Sequence, residues 1–532
     1  MTNPRLFAQR PGNRVVWVSA LLLIPGLLMA ASLKTGPMIG HTTTRTVNVW
    51  VQTDAIADVA VQYWPADAGP AEGWISPTVV PLPENGFVVT VPLREGLEPG
   101  KAYGYTVLID GQPTRPRYRE GYTEQGPIPM RFKTRPRWRW IPDTAASERT
   151  GNRARHSIFD FSIAMGSCAY VNQPGYDREG GDPYGGDYRI FEHIYEQAPD
   201  IMLWLGDNVY YREDDWDTRH GMIQRWTHDR SILHLQPLLA NAIHLATWDD
   251  HDYGPNDIGR TFEQKGLATE IFNLFYDNPS AGLPELPGIF TFYNYGDVNL
   301  YLLDNRTYRT SSTADPVPFD GPREIIGKDQ IDWLVEHMAW AQSQMENDRR
   351  SYPARWNLVA MGSQFLADTD SPHALRSAPR EYQYLLDRLV HAGIDNVFFL
   401  SGDVHFGEVN QVTYIGQGQP GVPGKAGAPG HPYVFTEITS SPLTAGSWPG
   451  PADNDNRLDI FDDPEIDRVG QRNFATLTFT GSLDDRQMVL RYFDSDGNLL
   501  NQKVDAPAGT PTDASVFSAN EGRAPRVEGD VR

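Results

Sequence analysis

Between residues 161 and 405 the chain repeats one pattern six times: a short apolar run that stops abruptly at a polar cluster. Phe161–Met165 leads into Gly166-Ser167-Cys168, and Ile201–Leu205 into Gly206-Asp207-Asn208-Val209-Tyr210. Ala242–Trp248 leads into Asp249-Asp250-His251-Asp252, and Val298–Leu303 into Asp304-Asn305-Arg306. Leu358–Met361 leads into Gly362-Ser363-Gln364, and Val397–Leu400 into Ser401-Gly402-Asp403-Val404-His405. Runs this short and this apolar suit strands covered on both faces. Helical periodicity lies between them: Ile331, Leu334, Val335 and Met338 share one face of Lys328–Gln344, and Leu385, Leu386, Leu389 and Val390 one face of Arg380–His391. Strands alternating with amphipathic helices make an α/β domain. In such sheets ligands bind beyond the carboxyl ends of the strands, where these six clusters fall. One run ending in Asp is an ordinary turn, but six ending in Cys, Asp, Tyr, His, Arg and Gln point to one shared site.

The residue types at these ends point to metal. Asp207, Asp250 and Asp403 offer hard oxygen ligands and His405 an imidazole. Gathered without a cation in a low-dielectric cleft, they would repel one another or stay unpaired. The two oxygens of Asp207 would allow it to bridge two ions, and a metal pair suits in-line displacement at phosphorus. The competing reading of Asp249–Asp252 is a solvated acidic turn. Charge adds to the argument: 46 basic residues face 68 acidic ones, a net −22. That excludes a nonspecific nucleic-acid platform, which needs a basic face. An anionic phosphate ester would need local cations, and bound metals would supply them.

The N-terminus reads as an export signal: Arg5, Arg10 and Arg14 precede the apolar run Val15–Leu33, followed by the small residues Ala30, Ala31 and Ser32 within its end. It is expected to be cleaved, or to remain as an anchor that associates the protein with a membrane or cell envelope. Cys168 is the single cysteine, so no intramolecular disulfide forms. Residues 1–40 are assigned to this signal and 41–140 to a small β-sandwich. The strand-like runs of the sandwich are Thr46–Gln52, Val59–Tyr63, Gly86–Val91 and Ala102–Leu108. The strip Lys133–Trp140 reads as a linker packing on the next domain. A catalytic domain spans 141–505, with late strands at Phe474–Phe479 and Met488–Phe493, and a polar tail over 506–532 is expected to be disordered. Gln417–Pro432 reads as a Pro/Gly-rich loop.

Taken in order, Gly-Ser-Cys, Gly-Asp-x-x-Tyr, Trp-Asp-Asp-His-Asp, Leu-Asp-Asn-Arg-Thr-Tyr-Arg and Ser-Gly-Asp-Val-His resemble the motifs of the alkaline phosphatase D family. These PhoD-like phosphatases belong to the calcineurin-like metallophosphoesterase superfamily. The resemblance covers most of the chain. It implies a four-layer α/β-β/α sandwich preceded by a small Ig/fibronectin-like β-sandwich. It also implies a phosphoric ester hydrolase with a ferric ion (Fe3+) partnered by calcium (Ca2+).

Position by position, the resemblance puts Cys168, Asp207, Tyr210 and His405 on the iron side, and Asp207, Asp250 and Asp403 on the calcium side. His251 takes the transition-state and proton-donor position. The chain departs from the wider superfamily, which has Gly-Asn-His-Asp/Glu at 249–252, Gly-His-x-His at 402–405, and Asp-x-His where Ser167-Cys168 stand. The implied mechanism has two metals clamping the phosphate and acidifying a water that attacks in line. Arg306 would offset charge on the phosphoryl oxygens, and His251 would protonate the leaving oxygen. Arg306 equally suits an internal ion pair, and Asn256 and Asp257 suit either a further ligand or a plain turn. Ser363 and Gln364 are expected as supporting or substrate contacts. Two other functions share the same features: a phosphodiesterase of phospholipase D or teichoic-acid type, and a non-catalytic surface protein whose sandwich binds a polymer.

Overall fold

The computed structural model describes residues 30–501, except 123–127, 137–139, 143–153, 157–158, 178–182, 312–322, 347–354, 370, 395, 415–432, 459, 461–466 and 482–485, together with 515–518. The export signal and the Gln417–Pro432 loop therefore fall outside, or almost wholly outside, the described residues. Among the described residues no helix is long and apolar enough to cross a membrane.

The six apolar runs form strands in two sheets. In the first sheet Phe161–Gly166, Ile201–Leu205 and Ile243–Thr247 run parallel. In the second, Val298–Leu302, Trp356–Ala360 and Val397–Ser401 do the same, and Tyr433–Thr439 continues them in parallel. Side chains alternate along every strand. Met165, Leu203, Leu205 and Leu245 of the first sheet meet Leu300, Leu302, Leu358, Ala360 and Leu400 of the second in one buried core. Ala164, Met202, Trp204 and Ala246 point the other way, against the helices Ile190–Glu196, Arg219–Arg230 and Lys265–Phe275. Tyr301, Val359, Met361 and Phe399 face the helices Lys328–Glu346 and Pro379–His391. The layers are thus helix, sheet, sheet, helix. Such strands must be apolar on both faces, which is why they read as unbroken apolar runs.

The first sheet does not stop at the boundary near residue 140. Leu33–Thr42 pairs in parallel with Ile243–Thr247, and Val47–Thr53 and Val88–Leu93 follow at the edge. Leu33–Thr42 also begins before residue 40, where the signal was expected to end. A second N-terminal sheet, built on Val59–Pro65 and Ala102–Ile109, covers these strands. Val47, Val49 and Val51 face it and join the main core, while Trp50 turns to the helix side, fully buried, and donates Nε1 to Leu274 O at 2.9 Å. The β-sandwich thus shares a sheet and a core with the catalytic part.

In the linker strip, Lys133 reaches Asp200 at 3.9 Å and Arg135 donates to Asn294 O at 3.1 Å. At the other end of the sheet, Ser515–Ser518 pairs with Gln487–Asp494, and Phe517 meets Phe398 edge-on at 5.2 Å. This part of the tail expected to be disordered is a strand, and Phe517 packs against the main core. The rest of the tail lies outside the described residues.

Candidate metal centre

Both sheets deliver their strand ends to the same edge, where the backbone is forced into unusual conformations. Cys168, Asp207, Asp257, Asp403 and His405 all have positive φ, between 51° and 72°. Non-glycine residues held there carry strain that the surrounding packing must sustain, a recurrent property of functional sites. Gly402 shows how tight the meeting is: a Cβ on it would lie 2.4 Å from Ser167 Oγ and 2.6 Å from Leu205 O. Only glycine lets the Asp403 turn approach the first sheet this closely.

Around Asp207 the donors converge. Cys168 Sγ lies 3.6 Å from Asp207 Oδ2, and Tyr210 Oη lies 3.3 Å from that same oxygen. Tyr210 Oη is also 3.2 Å from His405 Nε2. On the other side of Asp207, one ligand atom from each of Asp207, Asp250 and His251 lies within 4.8 Å of the others. Asp403 faces the same cleft. The His251 ring lies 4.2 Å from the Tyr210 ring, and its backbone N–H donates to Asp207 Oδ1 at 3.2 Å.

The chemistry of this donor set fits metal ions. Burial pushes the Cys168 thiol up to about 12 and Asp403 up to about 8, the latter helped by Asp249 and Asp250. Burial, then Asp250 and Cys168, raises Asp207 well above the carboxylate range. Deprotonating this cluster without a cation is unfavourable, and bound cations would reverse that. His405 is set up as a ligand: burial lowers its pKa, and its Nδ1 lies 2.5 Å from Gly446 O and 3.3 Å from Tyr184 Oη. A hydrogen on Nδ1 leaves the Nε2 lone pair for an ion. Contacts of 3.2–3.6 Å between donors match the roughly 3–3.7 Å separation of neighbours bound about 2.0–2.3 Å from one ion.

Arg306 is not among the residues that line the cleft. It is fully buried, and its Nε donates to Asp249 Oδ1 at 2.5 Å, while Nη2 stands 3.5 Å from Asp250 Oδ1. Burial alone would lower its pKa, but Asp249, Asp250 and Asp403 carry it well above the usual value. The internal ion pair is therefore formed, while Nη1 has no hydrogen-bond partner among the described residues. Burial opposes ionisation of Asp250, but Arg306, followed by His251, holds its carboxyl well below the ordinary range. Asp304 closes its own turn, accepting from Arg306 N, Thr307 N and Trp248 Nε1.

Other side chains complete the site. Asp252 accepts from Asn208 N and Asp249 N at 3.0 and 2.7 Å, tying the Asp207 and Asp250 turns together. Asp257 N donates to Asp250 Oδ2 at 2.8 Å, and its carboxylate lies 3.4 Å from His373 Nδ1. Asn256 and Gln364 line the cleft, and Ser363 sits behind, bonded to Asn305. Sequence reasoning missed Tyr184, His373, Trp448 and Ser441, whose Oγ donates to Cys168 Sγ at 3.3 Å. Ser441 follows the strand Tyr433–Thr439, a further strand end that offered a signal.

Residues 163–482 match the family model for PhoD-like phosphatases. The chain belongs to the PhoD-like phosphatase family. Residues 30–126 match a domain of unknown function (DUF7800). A comparison with curated proteins finds no match. The solved structure of PhoD resembles this one with a TM-score of 0.62 at 17% identity, over 90% of this chain and 93% of that one. The purple acid phosphatase PPD1 from yellow lupin (Lupinus luteus) seeds resembles it with a TM-score of 0.56 at 12% identity, over 87% and 73%. At such identities the likeness shows the fold, a metallophosphoesterase-like sandwich. Membership of the PhoD-like family, together with the acidic donor cluster, makes this protein a phosphoric ester hydrolase that depends on metal.

Proposed function

We propose that the protein is an exported phosphatase of the alkaline phosphatase D kind. It holds a ferric ion through Cys168, Asp207, Tyr210 and His405, and calcium through Asp207, Asp250 and Asp403. The observation that carries this reading is the closure of Cys168 Sγ, Tyr210 Oη and His405 Nε2 around Asp207 Oδ2. Thiolate and phenolate are poor donors for calcium or magnesium, which take carboxylate, carbonyl and water oxygens, so this half of the site suits a different ion. Bound there, the metals would acidify a water and draw charge from the phosphoryl oxygens.

The chain's own residues do the rest. Asp207 links the two halves of the site. His251, packed against the Tyr210 ring at the cleft, gives a proton to the leaving oxygen. Arg306 acts as a positioning residue, fixing Asp249 and Asp250 from behind. Export is supported by Arg5, Arg10 and Arg14 ahead of an apolar run, and by a first strand that starts at Leu33, where that run ends. Secretion or retention at the envelope follows, and mature protein beginning near residue 33 is the expected form.

A paired substrate assay tests the activity. Metal-loaded protein is given an aryl phosphate monoester and the matching aryl methyl diester, with and without chelator. Faster monoester turnover that chelation abolishes is the expected result. Faster diester turnover makes the protein a phosphodiesterase instead.

A further inference from the structure

The cleft above the metal-binding residues encloses about 570 Å³, within the ~300–1,000 Å³ typical of sites for organic ligands. A phosphoryl group fills a small part of such a space, so the remainder serves the ester's organic group. Its floor is acidic, with Asp207, Asp250 and Asp403, while Trp448, Phe406 and Pro451 form an apolar wall. Trp448 is 48% exposed, a large face that no core packing explains.

That indole is nevertheless fixed. Trp448 N donates to His405 O at 3.2 Å and Nε1 to Val404 O at 2.5 Å, both in the turn that carries Asp403 and His405. Phe406 packs on the ring at 5.5 Å, the two planes nearly perpendicular. The following residues are braced as well: Arg457 donates to Pro451 O at 2.9 Å, Arg468 donates to Pro449 O, and Arg457 is itself held by Glu408 at 2.7 Å. Gly450 has φ +73°, and a Cβ there would come within 2.9 Å of the Phe406 ring. An exposed aromatic face held this firmly loses little freedom when a ligand lies against it.

We propose that Trp448 is the specificity platform of this cleft, against which the organic group of the phosphate ester lies as a flat aromatic ring. This deepens the phosphoesterase reading and rests on it. A ring is favoured over a hydrocarbon chain because the wall offers the flat indole of Trp448, which is 48% exposed. The lining also includes the polar Asn256, Ser371 and His373, which suit the heteroatoms of a ring. A chain would need apolar walls all round.

Phosphonates test this, because they keep the phosphoryl charge and have no leaving group. Metal-loaded full-length protein is titrated calorimetrically with phenyl-, cyclohexyl- and methylphosphonate. The wild type is expected to bind the phenyl compound about tenfold more tightly than the methyl one, and more tightly than the cyclohexyl one. Trp448→Ala removes that advantage and leaves methylphosphonate within about twofold, and Trp448→Phe retains most of it. Equal phenyl and methyl affinities in the wild type, equal losses for all three ligands in Trp448→Ala, or a cyclohexyl affinity equal to phenyl would overturn the inference. Turnover of a phosphate ester by the same wild-type preparation separates the two failures. Turnover without aryl preference removes the platform alone, whereas no turnover removes the phosphoesterase reading beneath it.

Discussion

Tyr210 Oη lies 3.2 Å from His405 Nε2, a contact between residues 195 positions apart that joins the end of one sheet to the end of the other. The packing of the two sheets therefore sets the spacing of the donors. Neither half of the fold holds the site alone.

Asp207 faces both groups of donors, so Asp207→Asn is expected to lower activity about a hundredfold or more and to weaken metal retention. Activity assays after saturating metal and metal analysis of the dialysed variant check it. Full activity in the variant contradicts a shared carboxylate.

His251→Ala is expected to slow esters of poor leaving groups by about 10²-fold, and activated aryl esters far less. A leaving-group series on wild type and variant measures the difference. Equal loss across the series would assign His251 to charge stabilisation rather than proton transfer.

Arg306→Met removes the guanidinium to which the buried Asp249 is paired. Breaking a buried pair in this way typically costs about 3–5 kcal/mol, readable as a lower denaturation midpoint. A loss below about 1 kcal/mol together with weaker phosphate binding would return the guanidinium to the substrate.

His41 lies 2.8 Å from Asp277 and ties the first strand to the segment after the helix Lys265–Phe275. Burial opposes its charge, but the Asp277 hydrogen bond and charge prevail and raise its pKa above the ordinary 6.5. The folded state then binds the proton more tightly than the unfolded one. The stabilisation is complete below 6.5 and is lost as pH rises through the folded value. Denaturation of wild type and His41→Asn across this range should show the largest gap on the acid side. A gap that widens with rising pH would contradict the pairing.

The strand ends of Asp207, Asp250 and Asp403 are legible in the sequence because each apolar run is covered on both faces and breaks only where the chain reaches the cleft. Other parts are hidden for physical reasons. Ser441 escapes because Glu437 interrupts its strand, and that carboxylate is buried to accept Phe365 N and Leu366 N at 2.6 and 2.8 Å. Leu33–Thr42 escapes because Gly36-Pro37 breaks the strand pattern behind the apolar leader. Tyr184, His373 and Trp448 lie on loops whose places depend on how the two sheets pack, which no local pattern encodes. Arg306 is legible as a strand-end cation, but its partner is decided by which anion lies nearest in three dimensions.

The central claim is that Cys168 and Tyr210 hold a ferric ion beside Asp207, and metal analysis combined with visible absorption tests it most directly. Purified wild-type protein is expected to contain about one iron per chain and to be coloured, since thiolate and phenolate give charge-transfer bands with ferric iron. Tyr210→Phe should shift or bleach the band, and Cys168→Ala should lose iron and activity together. Colourless, iron-free and fully active enzyme would contradict the account.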